Sequence, residues 1–397
     1  MKAFSSTNVL AFMALLVYTF SAAARGMELA SSVERVEMKM ADSPTLRRRS
    51  SSSAAVLLTK SSFENILETR GGVKKESGKV SVEQPNVLHT LKVLGYFGLW
   101  YVLNIAYNIV NKKVLNKFQV PWTVAAVQLG IGGLYALASW ATPLRAAPQL
   151  SVKSMKAIAP VAFYHSSGQL LTVVSLFAGA VSFAHIVKAL EPFFSALVAA
   201  VFLKQYFKPQ VYATLVPVVA GVALACYSEV DFSWAAFAAA MGSNAAFACR
   251  ANFSKHLMGA DLGKNMSAAN LYAVVTLGAF LLLAPLALAA EGAALPREWA
   301  RAVAAGITEK KLATNILLSG LFHYLNNEVM YLALDNVHPI TLAVGNTAKR
   351  VFIIVASLVV FRNPITATGA IGSAVGIAGV LVYALTKEHY DRLARGG

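Results

Sequence analysis

The chain has 397 residues, 57% of them hydrophobic and only 14% charged, with a formal net charge of +16. Soluble proteins carry about 25% charged residues, so this composition excludes an ordinary soluble globular protein. The positive surplus lies in an N-terminal tail and in loops, and no solvated stretch interleaves aromatic with basic residues, which argues against a nucleic-acid partner.

In chain order, the first segment carries Lys2, an apolar core from Val9 to Phe20 and the small residues Ala22, Ala23 and Ala24. This is the layout of a secretory signal peptide over residues 1–24, with an uncleaved anchor helix as the alternative. Residues 25–90 form a polar tract. Its stretch SPTLRRRSSSSAAVLLTKSSF is rich in Ser and Arg and free of acids, as an organelle transit peptide is; a disordered tail is the plain alternative. A signal peptide followed by a transit-like tract suits a plastid wrapped by extra membranes and reached through the secretory route.

From about Leu94 onward, apolar runs recur at lengths near the 20 or so residues that cross a bilayer. They predict helices over residues 93–111, 121–142, 155–178, 181–203, 209–227, 233–256, 266–290, 312–334, 338–361 and 365–386. The expected fold is an all-α membrane protein of about ten transmembrane helices over residues 91–390, since a helical span satisfies its own backbone. The longest polar loop runs from Glu291 to Lys311. VAAVFLKQYFKPQ…VAGVALACY and VASLVVFRNPIT…IAGVLVYAL both read as helix, basic turn with proline, then Gly-containing helix, at an offset of about 158 residues. Two inverted-repeat halves, about 91–228 and 233–386, follow. In such proteins the substrate site lies where the halves meet near the membrane midplane.

Few ionisable residues fall inside the apolar runs: Lys188, Glu191, Arg250, Glu328, Lys349 and Arg350. Each costs about 2.5–3.5 kcal/mol to insert on translocon scales, so each is a functional candidate. Plain readings exist for several. Glu191 lies three residues after Lys188 and can pair with it. Arg250 lies near a helix end and can snorkel to the interface. Glu328 can pair with a cation, a gating or structural role. Lys349 and Arg350 resist such readings. Adjacent helix residues point about 100° apart, so one acid cannot readily serve both, and the pair lies near mid-depth. By the repeat offset Lys349 falls opposite Glu191, within one turn of Lys188. Lys188, Lys349 and Arg350 are therefore expected to converge and to leave net positive charge in a shielded site. That is expensive unless an anion visits. An Arg fork and Lys point charges suit phosphate oxygens.

VSFAHIVKALEPFFSALVAAVF and VHPITLAVGNTAKRVFIIVASLVVFRNPIT resemble signatures of the plastid phosphate translocators, the triose-phosphate/phosphate translocator family within the drug/metabolite transporter superfamily. LWYVLNIAYNIVNKKVLNKF resembles that family's first helix and SNAAFACRANFSK its sixth, in order from about Leu94 to Thr386. The resemblance implies ten helices in inverted-repeat halves and counter-exchange of inorganic phosphate for a phosphorylated C3 metabolite, with C5 and C6 compounds left open. It also implies that Lys188, Lys349 and Arg350 hold the phosphate. Thr172 matches a position near the phosphate. Gln169 stands where many members have histidine, and Asn326 replaces a substrate-contacting tyrosine, so the organic half of the pocket departs from the pattern. His185, Glu191, Arg250 and Glu328 are assigned gating or structural roles.

The expected partners are inorganic phosphate, phosphorylated small metabolites and the bilayer, with a homodimer left open; neither cofactor nor metal is expected. The expected location is a plastid envelope. A nucleotide-sugar transporter of the ER or Golgi is the alternative, which the signal peptide suits and the Lys-Arg pair suits less. A membrane enzyme is disfavoured: His323 and Glu328 are turned about 140° apart on a helix, His256 with Asp261 is a two-residue match, and no P-loop is present. The two cysteines, Cys226 and Cys249, read as small core residues.

Overall fold

The computed structural model describes residues 72–76, 79–83, 87–142, 145–258, 262–334 and 339–396. The expected signal peptide, most of the expected transit-like tract and Asp261 lie outside the described residues, as does the side chain of His256. The chain divides into two compact units, one over Ala14–Leu94 and one that holds Gly95–Gly397. In the first, β1 (Gly72–Glu76) pairs antiparallel with β2 (Lys79–Glu83), Val73 opposite Val82. This hairpin lies within the tract that the sequence analysis reads as tail.

Eleven helices follow. They are α1 (Val87–Leu115), α2 (Pro121–Ala141), α3 (Val152–Ala178), α4 (Val181–Phe202), α5 (Pro209–Tyr227), α6 (Trp234–Met258), α7 (Ala268–Glu291), α8 (Leu295–Ala304), α9 (Glu309–Leu334), α10 (Pro339–Phe361) and α11 (Ala367–Gly396). Ten of these match the expected spans within a few residues at most ends. Two differences stand out. The expected loop over 291–311 holds α8, whose Trp299 and Ala302 pack into the core while Arg297 and Arg301 face solvent. Its ten residues are too few for a hydropathy signal and carry three charges. The C-terminal helix also runs ten residues past the expected end at 386.

Among the described residues, eight spans are long and apolar enough to cross a membrane by length and composition alone. The two long helices missing from that set, α6 and α9, are the ones that carry buried Ser243, Asn244 and Asn252, and buried Ser319, His323, Asn326 and Glu328. Their polarity points inward, as it must when one surface faces lipid.

The packing repeats between the halves. α2 packs on α7, α4 on α10 and α5 on α11, each a pair of equivalent helices, and α2 on α9 mirrors α7 on α3. α5 and α11 cross at glycines. A Cβ on Gly221 would lie 2.7 Å from Gly372 O and closer still to Gly376 N, so only glycine permits this approach, the small-residue packing of membrane helices.

One span is not continuous. α4 breaks into Val181–Val187, a 3-10 turn over Lys188–Leu190, and Glu191–Phe202. The cause is Pro192, which has no N–H to give to the carbonyl of Lys188 four residues earlier. That carbonyl accepts from Glu191 N–H instead. The sequence analysis reads this segment as an unbroken helix.

Candidate functional site

Polar residues at helical spacing build a cavity of about 140 Å³ between the halves. α1 contributes Trp100, Asn104, Tyr107 and Asn108; α3 contributes His165, Gln169 and Thr172; α6 contributes Phe247 and Arg250; α9 contributes His323, Asn326 and Asn327. Spacings of three and four residues put each set on one helix face. α4 adds His185, Lys188 and Glu191, and α10 adds Asn346, Lys349 and Arg350. Four cations line this space against one carboxylate, a formal charge of +3. Paying for that charge in a low-dielectric interior requires good partners.

Each cation has a distinct one. The Lys188 ammonium donates to Thr172 Oγ1 at 3.0 Å and to Ser243 Oγ at 2.7 Å. Those hydroxyls are 2.8 Å apart, joining α3 to α6. Lys188 Nζ also lies 4.8 Å from the Phe247 ring centroid, and Arg250 Cζ lies 4.7 Å from it. The two thus share this ring, while their hydrogen-bond partners differ. Arg250 donates to His165 Nδ1 at 3.0 Å. Its guanidinium therefore points into the cavity. Arg350 donates to Glu191 Oε2 at 2.5 Å across 159 residues of chain, within one residue of the repeat offset. Lys349 takes a different partner, with its ammonium 4.3 Å from the Trp100 ring centroid. One carboxylate does not serve both neighbours, as the 100° rotation requires. Nor does Glu191 form the hydrogen-bonded pair with Lys188 that helix spacing suggests: its carboxylate goes to Arg350, and the Lys188 ammonium goes to Thr172 and Ser243.

A hydrogen-bond chain holds the surrounding helices. His185 Nε2 lies 2.8 Å from Asn108 Oδ1, Asn108 Nδ2 donates to Asn104 Oδ1 at 3.0 Å, and Asn104 Nδ2 donates to Asn326 Oδ1 at 2.8 Å. α4, α1 and α9 are thereby linked. Gln169 donates to Tyr107 OH at 3.1 Å and Gln128 Oε1 at 2.7 Å, and Gln128 donates on to Asn111 and Ser319. Satisfied networks of this kind hold side chains in one arrangement. Glu328 stands apart: it pairs with Arg145 from the α2–α3 connection, so it ties α9 to a loop.

Ser243, Phe247, Trp100 and His165 are absent from the sequence expectations although they contact or surround the cations. A signal exists for the first two. Ser243, Phe247 and Arg250 follow the i, i+4, i+7 pattern of one helix face.

A sequence profile described as the Triose-phosphate Transporter family matches residues 91–384. The chain is 40% identical over 299 residues to phosphoenolpyruvate/phosphate translocator 1, chloroplastic, of Oryza sativa subsp. japonica, covering 75% of this chain and 72% of that one. It is 37% identical over 313 residues to glucose-6-phosphate/phosphate translocator 2, chloroplastic, of Arabidopsis thaliana, covering 78% and 79%. It is 38% identical over 301 residues to triose phosphate/phosphate translocator, chloroplastic, of Flaveria pringlei, covering 76% and 72%. Relatives with three different named substrates are thus about equally similar. With a matching profile across the whole helical region and relatives aligned along most of their own length, the chain is a multi-pass membrane transporter, not an enzyme, and belongs to the Triose-phosphate Transporter family.

Proposed function

We propose that this chain exchanges inorganic phosphate for a phosphorylated three-carbon metabolite across a plastid envelope membrane, by alternating access. Lys188, Lys349 and Arg350 hold the phosphate, with Thr172 beside Lys188. Gln169 and Asn326 line the organic end; His185, Glu191 and Arg250 order the cavity wall, and Glu328 acts as a gating tie to Arg145. The observation that carries this reading is the cavity's formal charge of +3 between the two halves. A doubly charged phosphate offsets most of it, and an empty site stays unbalanced, so the occluded empty state is costly and only a loaded carrier crosses.

A cavity of about 140 Å³ suits a small phosphorylated metabolite. The chloroplastic relatives support the location.

The test is counter-exchange in liposomes holding the purified chain. Labelled phosphate enters only vesicles preloaded with phosphate or a substrate, and a panel of C3, C5 and C6 phosphates competes in order of size. Equal uptake into empty vesicles refutes the exchange mechanism. Competition by hexose phosphates at the level of triose phosphates refutes the three-carbon preference.

A further inference from the structure

A second and larger cavity lies far from the cations in character. Of about 550 Å³, it is lined by Phe118, Val124, Val127 and Ile131 on one side, Leu295, Pro296 and Trp299 of α8 above, and Ala313, Ile316 and Leu317 of α9 on the other. Thr123 is the one polar residue in the lining, and its neighbourhood is otherwise apolar. From Val124 to Ile131 the groove follows α2 for seven residues, about 10 Å at 1.5 Å per residue. It therefore starts beside α8 and runs along the apolar span of α2.

α8 has the character of a helix that lies at the boundary between oil and headgroups. It is amphipathic: Trp299 meets Phe118 edge-on, with ring centroids 5.9 Å apart, while Arg297 is 80% and Arg301 44% exposed. A short helix with one aromatic, buried face and one basic, exposed face lies in the interface plane. Exposed cations are next to a lining residue or close along its helix: Lys117 beside Phe118, Arg297 beside Pro296, and Lys310 and Lys311, with Glu309 before them, less than about a turn before Ala313. Glu298 is occupied by the α8 arginines, and Glu291 by the N–H groups of Trp122 and Thr123 that begin α2, at 3.1 and 2.8 Å. The lysines at the mouth face outward.

We infer that this groove is a binding site for one acyl chain of an anionic membrane lipid, whose headgroup is held by Lys117, Arg297, Lys310 and Lys311. In a bilayer the surroundings of such a groove are lipid chains, so an apolar slot beneath a basic rim selects by headgroup charge. Each basic residue near an anionic headgroup contributes about 1 kcal/mol, roughly fivefold in affinity. The site is separate from substrate exchange, and its occupancy is measured without transport.

The full chain is purified in micelles with equal phosphatidylglycerol and phosphatidylcholine, and retained lipid is counted by native mass spectrometry. Wild type retains one phosphatidylglycerol at least tenfold more than phosphatidylcholine. Ala313→Trp, which fills the groove, loses that lipid. Lys310→Glu with Lys311→Glu, both at exposed positions that any fold tolerates, lowers the headgroup preference tenfold or more. Phosphate exchange by the variants reports that they are folded. If Ala313→Trp does not fold, the lysine pair carries the test. Equal retention of the two lipids by wild type, or a preference unchanged by the lysine reversals, overturns the inference.

Discussion

Replacing Arg350 with alanine tests the candidate site at its most committed residue. Arg350 is buried, 7% exposed at the side chain, and its partner Glu191 is 36% exposed. A hydrogen bond to a charged group contributes about 1.5–3 kcal/mol. An arginine fork makes two toward a phosphate, so Arg350→Ala removes about 3–6 kcal/mol of phosphate binding, or roughly 10²–10⁴-fold in affinity. Stability is expected to change much less. Breaking a fully buried ion pair costs about 3–5 kcal/mol through the stranded charge. Here the stranded carboxylate is partly exposed and shares its cavity with Lys188 and Lys349. Arg350→Lys keeps the charge but replaces the fork with a point donor, so it recovers part of the loss. The assay is exchange of labelled phosphate in liposomes, alongside size-exclusion profiles that report insertion and folding. Exchange by Arg350→Ala within threefold of wild type, in a chain that folds, refutes the phosphate grip.

Three further outcomes are expected. Gly221→Val forces a branched side chain against the backbone of Gly372 and Gly376, and the chain loses its monodisperse folded peak in size-exclusion chromatography. Lys112 donates to the carbonyls of Leu176 at 2.7 Å and Gly179 at 2.9 Å, closing the end of α3; Lys112→Met costs about 2 kcal/mol and lowers the unfolding temperature while phosphate affinity holds. In the α5–α6 connection, burial and the neighbouring Asp231 push the Glu229 carboxyl from 4.5 up to about 7. The folded chain then holds a proton that the unfolded chain releases between these values, so the contribution of Glu229 to stability is full below about pH 4.5 and is lost as pH rises through about 7. Glu229→Gln abolishes that decline, read as unfolding temperatures at pH 5 and pH 8.

The long helices were legible because hydropathy over about 20 residues is a strong signal, and charges inside them were legible because they are costly. The repeat offset pointed from Lys349 to Glu191, and the structure joins Glu191 to the next residue, Arg350. What stayed hidden depends on short-range geometry or on neutral partners. α8 is too short and too charged to register, and the break at Lys188 follows from a proline that elsewhere in this chain, as at Pro160 and Pro285, sits inside an unbroken helix. Ser243 and Phe247 carry no charge, so only their shared face with Arg250 marks them. Arg145 gives no sign along the chain that it reaches Glu328 from a loop.

The interruption of α4 has a mechanical meaning. At Pro192 the bond to the carbonyl four residues earlier is already absent, so bending there gives up only the single Glu191 N–H bond of the 3-10 turn. Glu191 and the arm beyond it can swing while Lys188 remains anchored to Thr172 and Ser243. A rigid rod would have to drag both ends together; this articulated one lets the carboxylate let go of Arg350 on one side of the joint without disturbing the ammonium on the other.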